Sequence, residues 1–385
     1  MDAPRTIAGP AARPRHVYVH VPFCARRCSY CDFSIAVRKQ VPVREYVEGV
    51  SREVALRFPA ADPGDWRADT LYLGGGTPSR LGASGVMALL DALRAVLSLE
   101  HGAEVTLEAN PEDVSASAAR AWRAAGVTRV SLGVQSFSDP VLAWMHRVHD
   151  AAAIARAVHD VREAGIDALS LDLIFALPPE VPRDWRRDLE LALALAPDHL
   201  SLYGLTVEPA TPLARWRARG DATDAPEERY AAEFLLAHEL ATAAGLEHYE
   251  VSNFGREGAH ARHNAAYWTG APYAGLGPSA HEFDGARRRW NVAPYAEWLA
   301  RVQGGADPRA DEEALTAEQR IEEAVFLALR TRGGLSLDDR EWVLAQPWLD
   351  AGWGEQHGSR LALTPEGWLR MDAIALDVVR SRLRV

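Results

Sequence analysis

Short β-rich runs alternate with stretches of helix length from residue 15 to about residue 209. The predicted strands are 16–21, 70–73, 104–109, 129–135, 169–175 and 199–205. Strands joined by helices pair in parallel through right-handed crossovers, and the connections here are too long for an antiparallel meander. The alternation therefore predicts an α/β fold built on a complete or partial parallel β/α barrel.

Apolar side chains within these strands alternate with small or polar ones. In the first strand, valines alternate with Tyr18 and His20, and later strands place Glu108, Gln135 and Asp172 at polar positions near their C-terminal ends. A tightly packed parallel barrel is apolar on both faces, so a polar face predicts a roomy lumen that holds a polar ligand. The alternative is an open sheet whose polar face is solvated, which the long connections disfavour.

The composition narrows the cellular setting and the partners. Hydrophobic residues make up 48% of the 385 positions, as in globular proteins, and the net charge of -11 disfavours nucleic acid or an anionic membrane as a partner. No apolar run approaches the roughly 20 residues of a membrane span, and the N-terminus lacks the apolar region of a secretory signal. An odd number of cysteines in one loop is a poor disulfide framework, which predicts a cytoplasmic location.

Cys24, Cys28 and Cys31 follow the first strand, at the end of the barrel where ligands gather. Zinc commonly binds to paired C-x2-C units, and this loop has no second pair. A [4Fe–4S] cluster normally takes four thiolates, so three would leave one iron with an open coordination position. Arg26 and Arg27 lie between the thiols, and their charges would lower the thiol pKa values. Three structural cysteines are disfavoured, because ARRCSYCD is not an apolar segment.

The C-x3-C-x2-C spacing in YVHVPFCARRCSYCDF resembles the signature of the radical S-adenosylmethionine (SAM) superfamily. The resemblance implies that the open iron is chelated by the amino and carboxylate groups of SAM. One-electron reduction would then cleave SAM to methionine and a 5′-deoxyadenosyl radical. It also assigns the glycine turn in LYLGGGTPS to the SAM ammonium, and a backbone without Cβ atoms can approach a ligand closely.

LEANPE, RVSLGVQSF and LDLIFALP resemble, more narrowly, the oxygen-independent coproporphyrinogen III oxidase-like family. This resemblance implies a site for SAM, or a second SAM site, lined by Tyr18, Tyr30, Gly75, Gly76, Thr77, Glu108, Gln135, Arg147 and Asp172.

Two features favour the haem chaperones of the HemW type within this family. The oxidases carry a fourth cysteine two residues after the third, where this chain has Phe33. RHNAAYW is similar to the H-N-x-x-Y-W motif associated with haem binding in those chaperones, which implies haem contacts at His263, Asn264, Tyr267 and Trp268. An imidazole can ligate haem iron, and aromatic rings offer flat faces to a porphyrin. Alternatively, this histidine has only a structural role in packing. His281 is a further candidate for haem contact.

The C-terminal part is predicted to form a smaller module. Its sequence suggests an amphipathic helix ending at a glycine, a short strand RLALT, and a helix capped by Thr364 and opened by Pro365, which together predict a winged-helix-like fold. The resemblance implies that this module sits over the barrel mouth as a lid or partner surface. The predicted segments are a flexible tail at 1–14, a radical-SAM barrel at 15–210, a barrel extension with the haem-binding loop at 211–305 and the winged-helix-like domain at 306–385.

The resemblance implies a haem chaperone that binds haem and a SAM-coordinated [4Fe–4S] cluster and transfers haem to an acceptor protein. The cluster would support formation of a homodimer or the handover of haem. The alternative is an oxygen-independent coproporphyrinogen III oxidase, which decarboxylates propionate groups oxidatively after hydrogen abstraction. A haem methyltransferase is the third alternative.

Overall fold

The computed structural model describes residues 13–59 and 63–384, so nearly all of the predicted tail at 1–14 lies outside the described residues. Its strands are β1 (His16–Val21), β2 (Phe23–Cys24), β3 (Ala36–Val37), β4 (Arg67–Gly75), β5 (Ser98–Ala109), β6 (Arg129–Gln135), β7 (Ala168–Phe175), β8 (His199–Gly204), β9 (Glu247–Glu250), β10 (Asn253–Gly255), β11 (Tyr273–Leu276), β12 (His281–Phe283), β13 (Arg287–Asn291), β14 (Arg309–Ala314), β15 (Leu335–Ser336), β16 (Gly354–His357) and β17 (Arg360–Leu363). Its α-helices are α1 (Val43–Arg57), α2 (Gly82–Arg94), α3 (Ala116–Ala124), α4 (Asp139–Trp144), α5 (Ala151–Glu163), α6 (Trp185–Ala194), α7 (Pro212–Arg219), α8 (Glu227–Ala243), α9 (Arg262–Trp268), α10 (Tyr295–Gln303), α11 (Ala317–Leu329), α12 (Asp339–Asp350), α13 (Pro365–Trp368) and α14 (Met371–Leu383).

One sheet of twelve strands organises the described part of the chain, in the order β14-β13-β12-β11-β1-β4-β5-β6-β7-β8-β10-β9. The strands from β11 to β8 in this order are parallel neighbours, and antiparallel strands extend the sheet on both sides. All six predicted strands are present, and β1 and β6 have the predicted bounds. The edge strands β14 and β9 do not pair with each other, so the prediction of a partial parallel barrel is confirmed.

The alternation in the strands divides the sheet into an apolar face and a polar face. The β1 side chains of Val17, Val19 and Val21 are fully buried, and they belong to one hydrophobic cluster with Val50 and Val54 of helix α1. Fully burying such a side chain contributes roughly 1.5–3 kcal/mol. The helices therefore cover the apolar face, and the polar, concave face is left to line an interior space.

The C-terminal module consists of a small antiparallel sheet, in the order β15-β17-β16, with helices α11, α12 and α14. Helix α11 begins with a capping box between Thr316 and Gln319, which satisfies backbone N–H groups of its first turn. The winged-helix-like prediction is confirmed for this module. Strand β14, within the segment predicted at 306–385, pairs with β13 and so belongs to the large sheet.

The C-terminal module packs against one edge of the barrel. Trp368 lies edge-to-face on His248, and Arg330 forms an ion pair of 2.9 Å with Glu250, both at strand β9. Helix α11 also contacts helix α9. Within residues 13–59 and 63–384, no helix is both long enough and apolar enough to cross a membrane.

Candidate functional site

A cavity of about 350 Å³ opens on the concave face at the C-terminal ends of the parallel strands. We call it the cysteine cavity, because all three cysteines line it. Eight residues of the predicted SAM site also line this cavity, namely Tyr30, Gly75, Gly76, Thr77, Glu108, Gln135, Arg147 and Asp172. Tyr18 lies in the wall of a neighbouring cavity. Among the described residues, none from the C-terminal module lines the cysteine cavity, and its role as a lid or partner surface stays a prediction.

The cysteine loop is held by backbone pairing on both sides. Cys24 lies in β2, which pairs in parallel with β3 opposite Val37 and so closes the loop. Inside the loop, the Ser29 N–H donates to the Met145 carbonyl at 3.1 Å, and the Ser29 carbonyl accepts from Leu213 N–H at 2.8 Å. The loop is therefore anchored to the barrel at its base and at its middle.

Burial controls the protonation of the thiols. It raises the pKa of the Cys24 thiol, and it raises the pKa of Cys31 to about 11. The charge of Arg27 acts in the expected direction, but the loss of hydration outweighs it. The prediction of lowered thiol pKa values was therefore wrong for these two thiols. It rested on the charges of the arginines, and burial of the thiols has the larger effect on their pKa. Metal binding to these thiols must displace protons.

Two of the three thiols contact different side chains of the barrel. In the described ranges, no group of three His, Cys, Asp or Glu side chains is arranged to hold one metal ion. The Cys24 Sγ lies 3.4 Å from the Thr77 hydroxyl, and the Cys28 Sγ lies 3.5 Å from the Arg147 guanidinium, so the thiols face different neighbours. In a cubane cluster each thiolate binds a different iron, and this needs sulfurs farther apart than around one ion.

The glycine turn after β4 is required by packing within the protein. Gly75 has a φ of 110°, and a Cβ there would lie 2.6 Å from the ring of His20. A Cβ on Gly76 would lie 2.7 Å from the backbone of Pro22. The turn can therefore press against the end of β1, and the Gly75 N–H donates to the Glu108 carboxyl at 2.9 Å.

Two carboxyl groups on the cavity wall are held by hydroxyl donors. Glu108 accepts from the Tyr72 hydroxyl at 2.7 Å, and Asp172 accepts from the Ser131 hydroxyl at 2.9 Å. Burial raises the pKa of Glu108 to about 7 and also raises the pKa of Asp172. Glu108 can therefore carry or release a proton near neutral pH.

A bulge in β6 aims polar side chains into the cavity. The register between β6 and β7 shifts at Gly133 to Gln135, and Gln135 has a φ of 67°, which is unusual for a residue with a side chain. The Arg147 guanidinium donates to the Gly133 carbonyl at 2.8 Å and to Asn110 at 2.6 Å. The bulge is thus locked by Arg147, which also lies beside Cys28.

Two buried polar groups on the cavity wall were not among the predicted site residues. The Thr106 hydroxyl and one guanidinium nitrogen of Arg129 have no hydrogen-bond partner among the described residues. Both residues line the cysteine cavity and are less than 5% exposed. Buried polar groups normally have partners, so these two are available to a bound ligand. In the sequence, only their positions on the polar face of β5 and β6 could have indicated that they line the cavity.

The H-N-x-x-Y-W residues lie in helix α9, and hydrogen bonds connect this helix to the strands of the barrel. Glu104 of β5 accepts from the backbone N–H groups of Arg262 and His263 at 3.0 and 2.9 Å. The His263 ring is 1% exposed, and its two nitrogens hydrogen-bond with the Thr70 hydroxyl at 2.7 Å and the Tyr267 hydroxyl at 2.8 Å. Burial lowers the pKa of His263 to about 3, which keeps the ring neutral.

The remaining residues of this motif face different surroundings. Asn264 lines the cysteine cavity, whereas Tyr267 lines the neighbouring cavity. Trp268 is covered by Arg330, whose guanidinium carbon lies 4.3 Å from the ring centroid. The structure therefore does not bring the four motif residues together around one space.

The neighbouring cavity, of about 380 Å³, lies on the concave face beside β1, β11 and β12. We call it the aromatic cavity, because its lining includes Tyr18, His20, Phe33, Tyr267, Tyr273 and His281. It shares Phe33, Gly75 and Glu108 with the cysteine cavity. The sequence pattern predicted one ligand space, and the second arises because β11 pairs with β1 and continues the concave face.

The partial barrel, the cysteine loop and the glycine turn together define a radical SAM protein. The family model of the radical SAM superfamily matches residues 18–192, and that of the HemN C-terminal domain matches residues 315–370. The protein named heme chaperone HemW from Mycobacterium tuberculosis is 39% identical over 390 residues, covering 97% of this chain and 97% of the relative. The heme chaperone HemW from Bacillus subtilis is 34% identical and covers 84% of this chain and 85% of its own length. The chain therefore belongs to the HemW family within the radical SAM superfamily.

A solved structure agrees with the fold. Coproporphyrinogen III oxidase (HemN) from Escherichia coli, described as a radical SAM enzyme, superposes with a TM-score of 0.80 at 23% identity, covering 96% of this chain and 91% of that chain. At this identity the similarity establishes the architecture of both parts of the chain.

Proposed function

We propose that this protein is a haem chaperone, which binds haem and transfers it to an acceptor protein in the cytoplasm. The observation that carries the proposal is the 39% identity to a protein named heme chaperone HemW over 97% of both chains. Phe33 supports it, since it occupies the position where the related oxidases carry a fourth cysteine, and its side chain is 59% exposed. A homodimer stays a prediction.

We propose further that Cys24, Cys28 and Cys31 hold a [4Fe–4S] cluster. The donor set fits, because three thiols on one loop leave the fourth corner free of protein sulfur, and the chain has no other cysteine. Arg147 beside Cys28 would offset part of the negative charge of the thiolates. When bound, the cluster and SAM supply one-electron chemistry.

The proposed SAM site is the wall of the cysteine cavity around the glycine turn. Glu108 and Asp172 can accept hydrogen bonds from ligand hydroxyl or ammonium groups, while Thr106 and Arg129 offer unpaired polar groups. Gly75, Gly76 and Thr77 form one side of this space, and Tyr30, Gln135 and Arg147 complete its lining. Tyr18 would contact a ligand only from the side of the aromatic cavity.

The proposed function is tested with anaerobically reconstituted, full-length protein. The sample is supplied with dithionite, SAM and coproporphyrinogen III in one arm, and with haem in the other. We expect stable haem uptake in the second arm and no protoporphyrinogen in the first. Protoporphyrinogen formation would instead assign the oxidase reaction, and methylated haem would assign the methyltransferase reaction.

A further inference from the structure

The histidines around the aromatic cavity differ in whether they can bind a metal. A histidine ligates iron through a ring nitrogen whose lone pair is free. In His20, one ring nitrogen pairs with the Tyr18 hydroxyl at 3.0 Å and the other with the Ser34 carbonyl at 2.9 Å. Both nitrogens of the buried His263 are also occupied, by the Thr70 and Tyr267 hydroxyls. Neither ring can bind a metal without breaking a hydrogen bond inside the protein.

His281 has the opposite properties. It is exposed at the start of β12, and neither of its ring nitrogens has a hydrogen-bond or ion-pair partner in the part of the chain that the structure describes. Its ring stacks on Trp290, with centroids 5.7 Å apart and planes inclined by 22°. This stacking orients the imidazole, and the ring lines the aromatic cavity. His281 is thus an imidazole held in place by an apolar contact alone.

The walls around His281 suit a flat apolar molecule. Tyr267 and Tyr273 meet edge-to-face, with centroids 4.6 Å apart, and Phe33 stands at the mouth with 59% of its surface exposed. A large exposed aromatic side chain beside a cavity commonly marks a binding surface. Aromatic rings pack on a porphyrin face or edge through the same contacts that they make with one another.

We propose that haem binds in the aromatic cavity with the His281 imidazole as its iron ligand. The inference rests on the proposed haem chaperone function and names its site. Tyr267 contributes a wall directly, and His263 positions the Tyr267 hydroxyl through their hydrogen bond. The H-N-x-x-Y-W residues therefore act on haem through Tyr267, and iron ligation comes from a different segment of the chain.

Charge fixes the orientation of haem in this site. The carboxyl groups of Asp32 and Glu108 both line the aromatic cavity. Asp32 disfavours haem propionates inside it, and Glu108 adds to this effect when it has released its proton. The propionates therefore face solvent, and the apolar edge of the porphyrin enters the cavity. Haem bound in this way stays partly exposed, so an acceptor protein can approach it.

The site is coupled to the cysteine loop by chain connectivity. Asp32, Phe33 and Ser34 directly follow Cys31, and all three line the aromatic cavity. The position of Cys31 therefore sets one wall of the proposed haem site.

Haem titration of variants tests the site, using cluster-loaded full-length protein and absorbance of the haem band. His281→Gly should weaken haem binding by about tenfold or more, and added imidazole should restore it, because the substitution leaves space for a free ligand. The matched control is His357→Gly, another exposed histidine in an antiparallel strand, which should leave haem affinity unchanged. Unchanged affinity in His281→Gly would overturn the inference.

A second measurement begins with the unaltered protein and identifies the iron ligand by spectroscopy. Electron paramagnetic resonance of ferric haem bound to the unaltered protein should show one nitrogen ligand from the protein in addition to the porphyrin nitrogens, and His281→Gln should lose that signature while keeping the cluster absorbance. Haem bound without a nitrogen ligand from the protein, or a signature lost in His263→Ala and kept in His281→Gln, would place the iron elsewhere. If the unaltered protein takes up no haem, the proposed function itself fails.

Discussion

The cysteine cavity and the aromatic cavity share one wall but offer ligands different chemistry. The cysteine cavity presents thiols, carboxyl groups and a guanidinium, and most of these are fixed by hydrogen bonds to neighbouring strands. The aromatic cavity presents tyrosine and phenylalanine rings and an unpaired imidazole, together with the carboxyl groups of Asp32 and Glu108. One concave face can therefore offer space for a charged, polar ligand beside an apolar one, because its two ends come from different strand pairs.

The three cysteines line the cysteine cavity and are not among the lining residues of the aromatic cavity. Cys28→Ser should abolish the iron–sulfur absorbance, because two thiolates cannot hold a four-iron cluster at three corners. Iron and sulfide analysis of the anaerobic protein measures this, with circular dichroism to show that the helices remain. A cluster retained at full occupancy would mean that Cys28 is not a ligand.

Glu108 lies on the shared wall, and its pKa of about 7 predicts a pH effect on stability. The folded protein binds this proton more tightly than the unfolded chain, so the stability contributed by the group falls as the pH rises from about 4.5 to about 7. One pKa unit corresponds to about 1.4 kcal/mol, and partial exposure reduces the effect, so we expect about 2 kcal/mol. Chemical denaturation of the unaltered protein and of Glu108→Gln measures it across this range. A pH-independent difference between the two would contradict the assignment.

Gly75 lines both cavities. Gly75→Ala adds a Cβ at 2.6 Å from the His20 ring, which two hydrogen bonds hold in its position. Gly102→Ala is the matched control, because its φ of 72° is also positive and no atom lies within 4 Å of its Cβ. We expect Gly102→Ala to cost about 1 kcal/mol of unfolding free energy and Gly75→Ala about 1 kcal/mol more. Equal costs in the two variants would show that the His20 contact does not matter.

His263 and His281 should differ in how much each contributes to the free energy of unfolding. His263→Ala should lower the free energy of unfolding by about 1–3 kcal/mol, because it leaves buried hydroxyl groups with fewer partners. His281→Ala should change it by less than about 0.5 kcal/mol, since the ring is exposed. His263→Ala should keep the cluster absorbance and weaken haem binding through the displaced Tyr267. Urea denaturation of both variants decides whether the two histidines have these separate roles.

Much of the barrel could be predicted from local patterns. The valines of β1 and the alternation in β6 fix both strands at the predicted bounds, because alternation reports which face each side chain takes. The cysteine spacing likewise identified the loop, since its three thiols lie close in sequence. These features depend on neighbours along the chain.

Other features depend on contacts that the sequence pattern does not contain. His263 is tied to Thr70, 193 positions away, so its buried state could not be read from the motif around it. The aromatic cavity likewise joins Phe33 to Tyr273 and His281, which come together only when β11 pairs with β1. The thiol pKa values were misjudged for the same reason, because burial is set by the whole fold.

We expect the two cavities to hold two different ligands in one molecule. Haem affinity of the cluster-loaded protein is therefore measured with and without saturating SAM, by absorbance titration and equilibrium dialysis. We predict that one haem and one SAM bind together, with haem affinity changed by less than about tenfold. Stoichiometric displacement of haem by SAM would show that they compete for one site and would contradict the claim.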